Sequence, residues 1–209
     1  MAFLLVNRRF RQGGEPQIDV DDQPVIVNNS GWDYSVVQDA IGIASGFWNS
    51  QANIQVNSRP IINLNGCDGG GNCILPYTLT RLPDPAVVRA KLAEQGANAK
   101  HVTVFVGSLK KPGAAYTVDG YTDSANGISY IATSAEGLTE TMFWFRWHPA
   151  GEIVAHEWGH SFLGPGHVSY PNLMYEPPNL LPFLPAFFNQ EAITNDQRTR
   201  AREGASRYR

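Results

Sequence analysis

Three histidines and one glutamate fall within a run of twelve residues, and their spacing constrains the fold of this chain more than any other feature. The run, residues 156–167, reads HEWGHSFLGPGH. On an α-helix with about 3.6 residues per turn, His156 and His160 lie one turn apart on the same face and can bind one ion together. A catalytic Zn²⁺ keeps three protein ligands and one open position, and neutral imidazole suits it well. The run therefore predicts a catalytic zinc site on a helix, with Glu157 beside the first ligand and His167 as the third.

The alternative for this run is a buried helix whose histidines are hydrogen-bonded core residues. That alternative would leave Glu157 on an otherwise apolar helix, where a carboxylate must be paired, hydrogen-bonded or neutralised. A lone histidine would favour core packing, but three histidines at this spacing favour the metal site.

The run resembles the metzincin metallopeptidases, whose pattern is HExxHxxGxxH followed by a methionine-containing turn beneath the metal. The chain matches the His-Glu pair, the second histidine and the methionine turn, which is Met174 in the segment NLMY. Gly164 and His167, however, follow His160 by four and seven residues, where the pattern has three and six. One residue is therefore inserted, either in the last turn of the helix or in the loop. Tyr175, directly after the methionine, is similar to the matrixin form of the turn.

The resemblance implies a zinc-dependent metalloendopeptidase that acts on proteins or peptides. Its fold would be α+β and metzincin-like, with a twisted mixed sheet, a backing helix, an active-site helix, and a small C-terminal lobe with the methionine turn and a closing helix. Zinc lowers the pKa of a bound water towards neutrality, and a neighbouring carboxylate can accept the proton. The implied roles are one Zn²⁺ ion bound by His156, His160 and His167, general base for Glu157, and packing support for Met174.

Two other functions remain open. In a gluzincin-like zinc hydrolase the third ligand is an acid, and Glu176 or Glu191 would replace His167. In a non-catalytic binding module the zinc would be structural, but a structural site is usually closed by four ligands and needs no general base such as Glu157.

The resemblance also implies a substrate-binding strand. In the family an edge strand next to the last strand of the sheet pairs with extended substrate, and residues 113–121 are the matching segment. Backbone addition to a sheet edge gives sequence-tolerant binding. The alternative is a glycine-rich loop without a ligand. The predicted substrate contacts are Gly113, Ala114, Ala115, Tyr116 and Tyr175.

Calcium is a weaker possibility in the next segment. Asp119, Asp123 and Asn126, together with Gly120 and Gly127, could supply oxygen ligands and turns. Such spacing also commonly marks an ordinary turn.

The two cysteines, Cys67 and Cys73, enclose a glycine-rich loop that is flexible enough to close as a disulfide. A disulfide would place the protein outside the reducing cytosol, so we expect it to be secreted or otherwise extracytoplasmic. The alternatives are a thiol that caps the zinc and two ordinary free thiols.

The 209 residues are enough for one domain with a substantial core. We expect a single catalytic domain over residues 1–209, with an N-terminal lobe to about residue 167 and a C-terminal lobe from about residue 168. The net charge of −3 and the lack of a large basic excess at either end argue against a nucleic-acid partner. No apolar run could span a bilayer, and we expect a monomer.

Hydrophobic periodicity and helix caps predict a mixed α and β chain. The predicted strands are residues 23–28, 54–64 with an interruption at Pro60, 101–106 and 128–133. The predicted helices are residues 34–53, capped by Asp33, 85–95, capped by Asp84, 149–162 and 189–205.

Overall fold

A computed structural model describes residues 15–28, 30–64, 84–107, 109, 119–132, 149–168, 172–174 and 193–209. The predictions on Cys67, Cys73, Gly113, Ala114, Ala115, Tyr116, Tyr175, Glu176 and Glu191 lie outside these residues. The elements are, in chain order, β1 (Ile18–Val27), α1 (Tyr34–Ala52), β2 (Ile54–Ser58), β3 (Ile62–Leu64), α2 (Pro85–Glu94), β4 (His101–Val106), β5 (Gly120–Asp123), β6 (Ile128–Ala132), α3 (Pro149–Leu163), α4 (Asn195–Ala205) and a 3-10 turn (Ser206–Tyr208).

The described strands form one mixed sheet, as the sequence predicts. The strand order is β2-β1-β4-β6-β5, and β3 also pairs with β1, beyond the end of β2. Every pairing is parallel except the one between β5 and β6, which is antiparallel. Since β5 comes last in this order, it forms one edge of the sheet among the described strands.

Helices cover both faces of the sheet, and β4 is buried along its whole length. Alternation along β4 places Phe105 in the core beneath α1 and α3, where Trp48 and Trp158 also lie. The other face packs against α2, through residues that include Val88 and Val104. Parallel strands are usually covered in this way on both sides. Among the described residues, no helix is long and apolar enough to cross a membrane.

The backing helix α1 follows directly from its sequence. The Asp33 carboxylate accepts a hydrogen bond from the Ser35 backbone N–H at 2.7 Å, and the left-handed Asn53 (φ 51°) ends the helix. The buried apolar face of α1 lies towards α3. Trp48 Nε1 donates to the Ala155 carbonyl at 3.0 Å, which joins the two helices directly.

Some boundaries differ from the predictions. β1 begins at Ile18, five residues before the predicted start at 23, because Ile18 and Val20 alternate with polar residues and pair with β2. The strand beside β6 is Gly120–Asp123, which overlaps the predicted segment 113–121 only in its last two residues. The final helix begins at Asn195, after a capping box made by Thr194 and Gln197.

Candidate metal centre

Helix α3 presents the two motif histidines on one face and buries the opposite face. His156 and His160 are half-buried, and their rings lie 4.8 Å apart. The opposite face of α3 is buried through Val154, Trp158, Ser161 and Phe162. One face of α3 is therefore held in the core while the other is left for ligands.

The chain leaves α3 through a glycine turn. The helix continues to Leu163, and the Gly164 N–H donates to the His160 carbonyl at 3.0 Å. Gly164 and Gly166 have φ values of 89° and 123°, which residues with a Cβ rarely adopt. The residue inserted relative to the metzincin pattern thus lengthens the last turn of the helix, and the two glycines bring the chain back towards the histidines.

The turn brings His167 to the other two histidines, as predicted. His160 Nε2 lies 3.1 Å from His156 Nε2 and 3.2 Å from His167 Nε2. One ligand atom from each of the three residues lies within 4.8 Å of the others. Nitrogens at about 2.0–2.1 Å from one tetrahedral zinc would be about 3.3 Å apart, so this spacing fits a zinc ion.

Backbone carbonyls determine which ring nitrogens face the centre. His156 Nδ1 lies 2.7 Å from the Leu173 carbonyl oxygen, and His160 Nδ1 lies 3.4 Å from that of Gly164. A carbonyl oxygen only accepts hydrogen bonds, so a neutral ring in either place would carry its hydrogen on Nδ1 and turn an Nε2 lone pair to the centre. The three side chains therefore form a group that could hold a metal ion.

Met174 lies directly against helix α3. It is buried, and a Cβ on Gly159 would collide with its sulfur. The Met174 N–H donates to Asn172 Oδ1 at 2.9 Å, and the Asn172 amide in turn bonds to Gln197 of α4. Because the adjacent Leu173 supplies the carbonyl that orients His156, this turn both holds the His156 ring and packs against the helix.

Glu157 is almost fully buried between α3 and the edge strand β5, with 5% of its surface exposed. Thr122 Oγ1 lies 2.6 Å from Glu157 Oε2. The Gly120 backbone lies against the other carboxylate oxygen, since a Cβ on Gly120 would be 2.5 Å from Oε1. The sequence did not single out Thr122. The β-forming pair Tyr121 and Thr122 was the available signal for a strand there.

A buried hydrogen-bond network holds the far side of α3, and sequence reasoning missed it. Trp158 Nε1 donates to Thr103 Oγ1 at 2.9 Å, and Ser161 Oγ lies 2.9 Å from His101 Nε2. Thr103 and His101 both bond to Asp22 Oδ1 at 2.8 Å. These bonds fix the rotation of α3 about its axis, so that its histidine face points outward.

Tyr208 closes this network at the C-terminal end of the chain. Its ring packs edge-on against His101, with the centroids 5.2 Å apart. Burial raises the pKa of the Tyr208 phenol above its ordinary value, and this effect outweighs a hydrogen bond with Ser161 that lowers the pKa. The phenol therefore stays neutral at physiological pH beside the buried imidazole.

The residues considered for calcium lie at the two ends of β5, with Asp119 and Gly120 at its start and Asp123, Asn126 and Gly127 at the turn to β6. Asp123 accepts hydrogen bonds from the Asn126 backbone N–H at 3.1 Å and from its side-chain amide at 2.7 Å. Gly127 has a φ of 62° at the end of the turn. Within the described part of the chain, the histidine triad is the group able to hold a metal ion, so calcium has no support.

No protein-family model and no curated protein sequence matches this chain. Among solved structures, it is similar to archaemetzincin from Methanopyrus kandleri, with 12% identity, a TM-score of 0.54 and coverage of 90% of this chain and 95% of that chain. It is also similar to archaemetzincin from Archaeoglobus fulgidus, with 12% identity, a TM-score of 0.52 and coverage of 88% and 99%. Metalloproteinase-II from Bacteroides fragilis has 14% identity and a TM-score of 0.53, over 89% of this chain and 53% of that chain. These likenesses identify the overall fold, which this chain shares with the archaemetzincins.

Proposed function

We propose that this chain is a zinc-dependent endopeptidase whose metal ligands are His156, His160 and His167. The observation that carries the proposal is the convergence of three Nε2 atoms, two of them in rings whose Nδ1 is held by a backbone carbonyl. Zinc bound there would polarise a substrate carbonyl and make a water molecule acidic enough to lose a proton near neutral pH.

Glu157 is the group that accepts this proton. It follows the first ligand directly in the helix, and its carboxylate is held between α3 and β5. A positioned carboxylate can take the proton of the attacking water and deliver it to the leaving amine, so that one residue serves both steps. The open fourth position of a three-histidine site provides the room that such chemistry needs.

Extended peptides would bind along β5. Among the described strands, β5 is the edge strand next to the site and pairs only with β6. A peptide backbone added to this edge would pass beside Glu157, because Thr122 of β5 contacts that side chain. The predicted contacts Gly113, Ala114, Ala115 and Tyr116 precede this strand in the sequence and remain predictions.

The experiment is a digest of a peptide mixture, with new termini identified by mass spectrometry and bound zinc measured on the same samples. Glu157→Gln should retain zinc and lose at least about 100-fold in cleavage rate, since the amide cannot accept a proton. Glu152→Gln, on the same helix, is the matched control and should cleave normally. Cleavage by Glu157→Gln at the wild-type rate would refute the mechanism.

A further inference from the structure

We propose that Thr122 is the positioning residue for Glu157, a role that rests on the proposed function. Thr122 lies on the edge strand β5, and its hydroxyl oxygen is 2.6 Å from Glu157 Oε2. A hydrogen bond between a hydroxyl and a carboxylate at this distance is short and charge-assisted. The side chain that accepts the proton is therefore fixed by a residue of a different element.

The direction of this hydrogen bond follows from the neighbouring oxygens. The Thr122 hydroxyl has one proton and three oxygens within reach, namely Glu157 Oε2 at 2.6 Å, the Glu157 carbonyl at 2.9 Å and Ser129 Oγ at 3.1 Å. The charged and nearest acceptor is Oε2, so the proton is donated there. The hydroxyl of Ser129, which is fully buried on β6, can then donate to the Thr122 oxygen.

Gly120 completes the fit on the same side of the strand. Residues two apart on a strand point to the same face, and Gly120 and Thr122 both meet Glu157. Thr122 binds Oε2, while the absence of a side chain at Gly120 leaves space for Oε1. Both oxygens of the carboxylate are thus placed by β5, the strand along which substrate is proposed to bind.

This arrangement predicts an effect on the chemical step more than on binding. A proton acceptor must lie within hydrogen-bonding reach of the water that it activates, and small displacements of catalytic groups are costly. Without the hydroxyl, Glu157 would keep its place in the helix but its carboxylate would lose the hydrogen bond that Thr122 donates to Oε2. Zinc binding would not change, because the hydroxyl of Thr122 bonds to Glu157 and Ser129 and to none of the three histidine rings.

Ser124 supplies a matched control. Its hydroxyl, two residues after Thr122, donates to the backbone carbonyl of His160 at 3.1 Å. Thr122 and Ser124 therefore both join the β5 region to α3, but only the Thr122 hydroxyl binds the Glu157 carboxylate. A loss of strand anchoring alone would affect both variants alike.

The test compares Thr122→Val, Thr122→Ser and Ser124→Ala in the zinc-loaded protein, with kcat, KM and zinc content measured for each. Thr122→Val should lower kcat by about 10-fold to 100-fold, with KM within about threefold of wild type and zinc content unchanged. Thr122→Ser, which keeps the hydroxyl, should recover most of the rate. Ser124→Ala should stay within about threefold of wild type in kcat.

A second measurement does not depend on activity. In metal-free protein, the Tm loss caused by Thr122→Val should be at least about 3 °C larger in the wild-type background than in the Glu157→Ala background. The Glu157→Ala protein already lacks the hydrogen bond between the Thr122 hydroxyl and Glu157 Oε2, so Thr122→Val removes less from it. Equal Tm losses, an unchanged kcat for Thr122→Val, or failure of Thr122→Ser to recover it would each overturn the proposal. If the wild-type protein cleaves no peptide, the proposed function fails while the Tm comparison still decides the role of Thr122.

Discussion

His167 is the proposed ligand that comes from outside helix α3. Its Nε2 lies 3.2 Å from that of His160, although seven residues separate the two in the sequence. The glycines at 164 and 166, both with positive φ, allow the chain to return so tightly. The position of His167 therefore depends on a turn that few other residues could form.

Replacement of His167 tests this assignment. His167→Ala should weaken zinc binding by at least about 100-fold, since loss of even an outer hydrogen-bond partner costs about 10–100-fold. Competition with a chromophoric chelator measures the affinity. Glu176→Ala and Glu191→Ala are the comparison variants and should bind zinc normally. The opposite result, with zinc lost in one of the glutamate variants and kept in His167→Ala, would identify a site with an acidic third ligand.

Among single residues, the sequence predicts those that are related by local geometry. His156, Glu157 and His160 could be assigned because the period of a helix alone places the two histidines on one face. Thr122 could not be assigned, because its contact with Glu157 joins residues 35 apart in the sequence. Nothing in the local pattern around residue 122 distinguishes a hydroxyl that binds a carboxylate from an ordinary strand residue.

Helix α4 packs closely against the C-terminal end of helix α3. A Cβ on Gly204 would collide with the backbone carbonyl of Phe162, which is rigid because it belongs to a helix. Gly46 in α1 has no atom within 4 Å of the position of a Cβ. Both glycines therefore lie within helices, but Gly46 has room for a Cβ and Gly204 does not.

Alanine at these two glycines should have opposite effects. Gly204→Ala should destabilise the protein by about 1–3 kcal/mol or more through overpacking. Gly46→Ala should be neutral or stabilising by about 0.5–1 kcal/mol, because alanine favours a helix. Thermal unfolding of the two variants measures both effects. Equal Tm changes in the two variants would contradict the described packing of α4 on α3.

The starts of α1 and α2 were predicted more closely than the start of β1, for a physical reason. Asp33 and Asp84 cap α1 and α2 in the structure as predicted, because a side-chain cap is a local interaction that the sequence displays. The start of β1 was misplaced, since Asp22 is a polar residue buried by partners 79 and 81 residues away. A strand boundary depends on such distant partners.

In the whole molecule, the three histidines come from α3 and from the turn that directly follows it. The Leu173 carbonyl, in the segment 172–174, orients the ring of His156. The network from Asp22 to Ser161 holds α3 against the sheet, and β5 contacts Glu157. The mixed α and β class could be predicted from the sequence, whereas this assembly depends on contacts between distant residues.

The proposed site makes peptide cleavage depend on one zinc ion at the three histidines. Zinc titration of metal-free protein decides this, with bound zinc and cleavage of internal peptide bonds measured in the same samples. Cleavage should be absent without metal, rise in proportion to bound zinc and saturate at one zinc per chain. Full zinc binding without cleavage of any peptide, or cleavage that persists in the metal-free protein, would show that the three histidines do not form a catalytic zinc site.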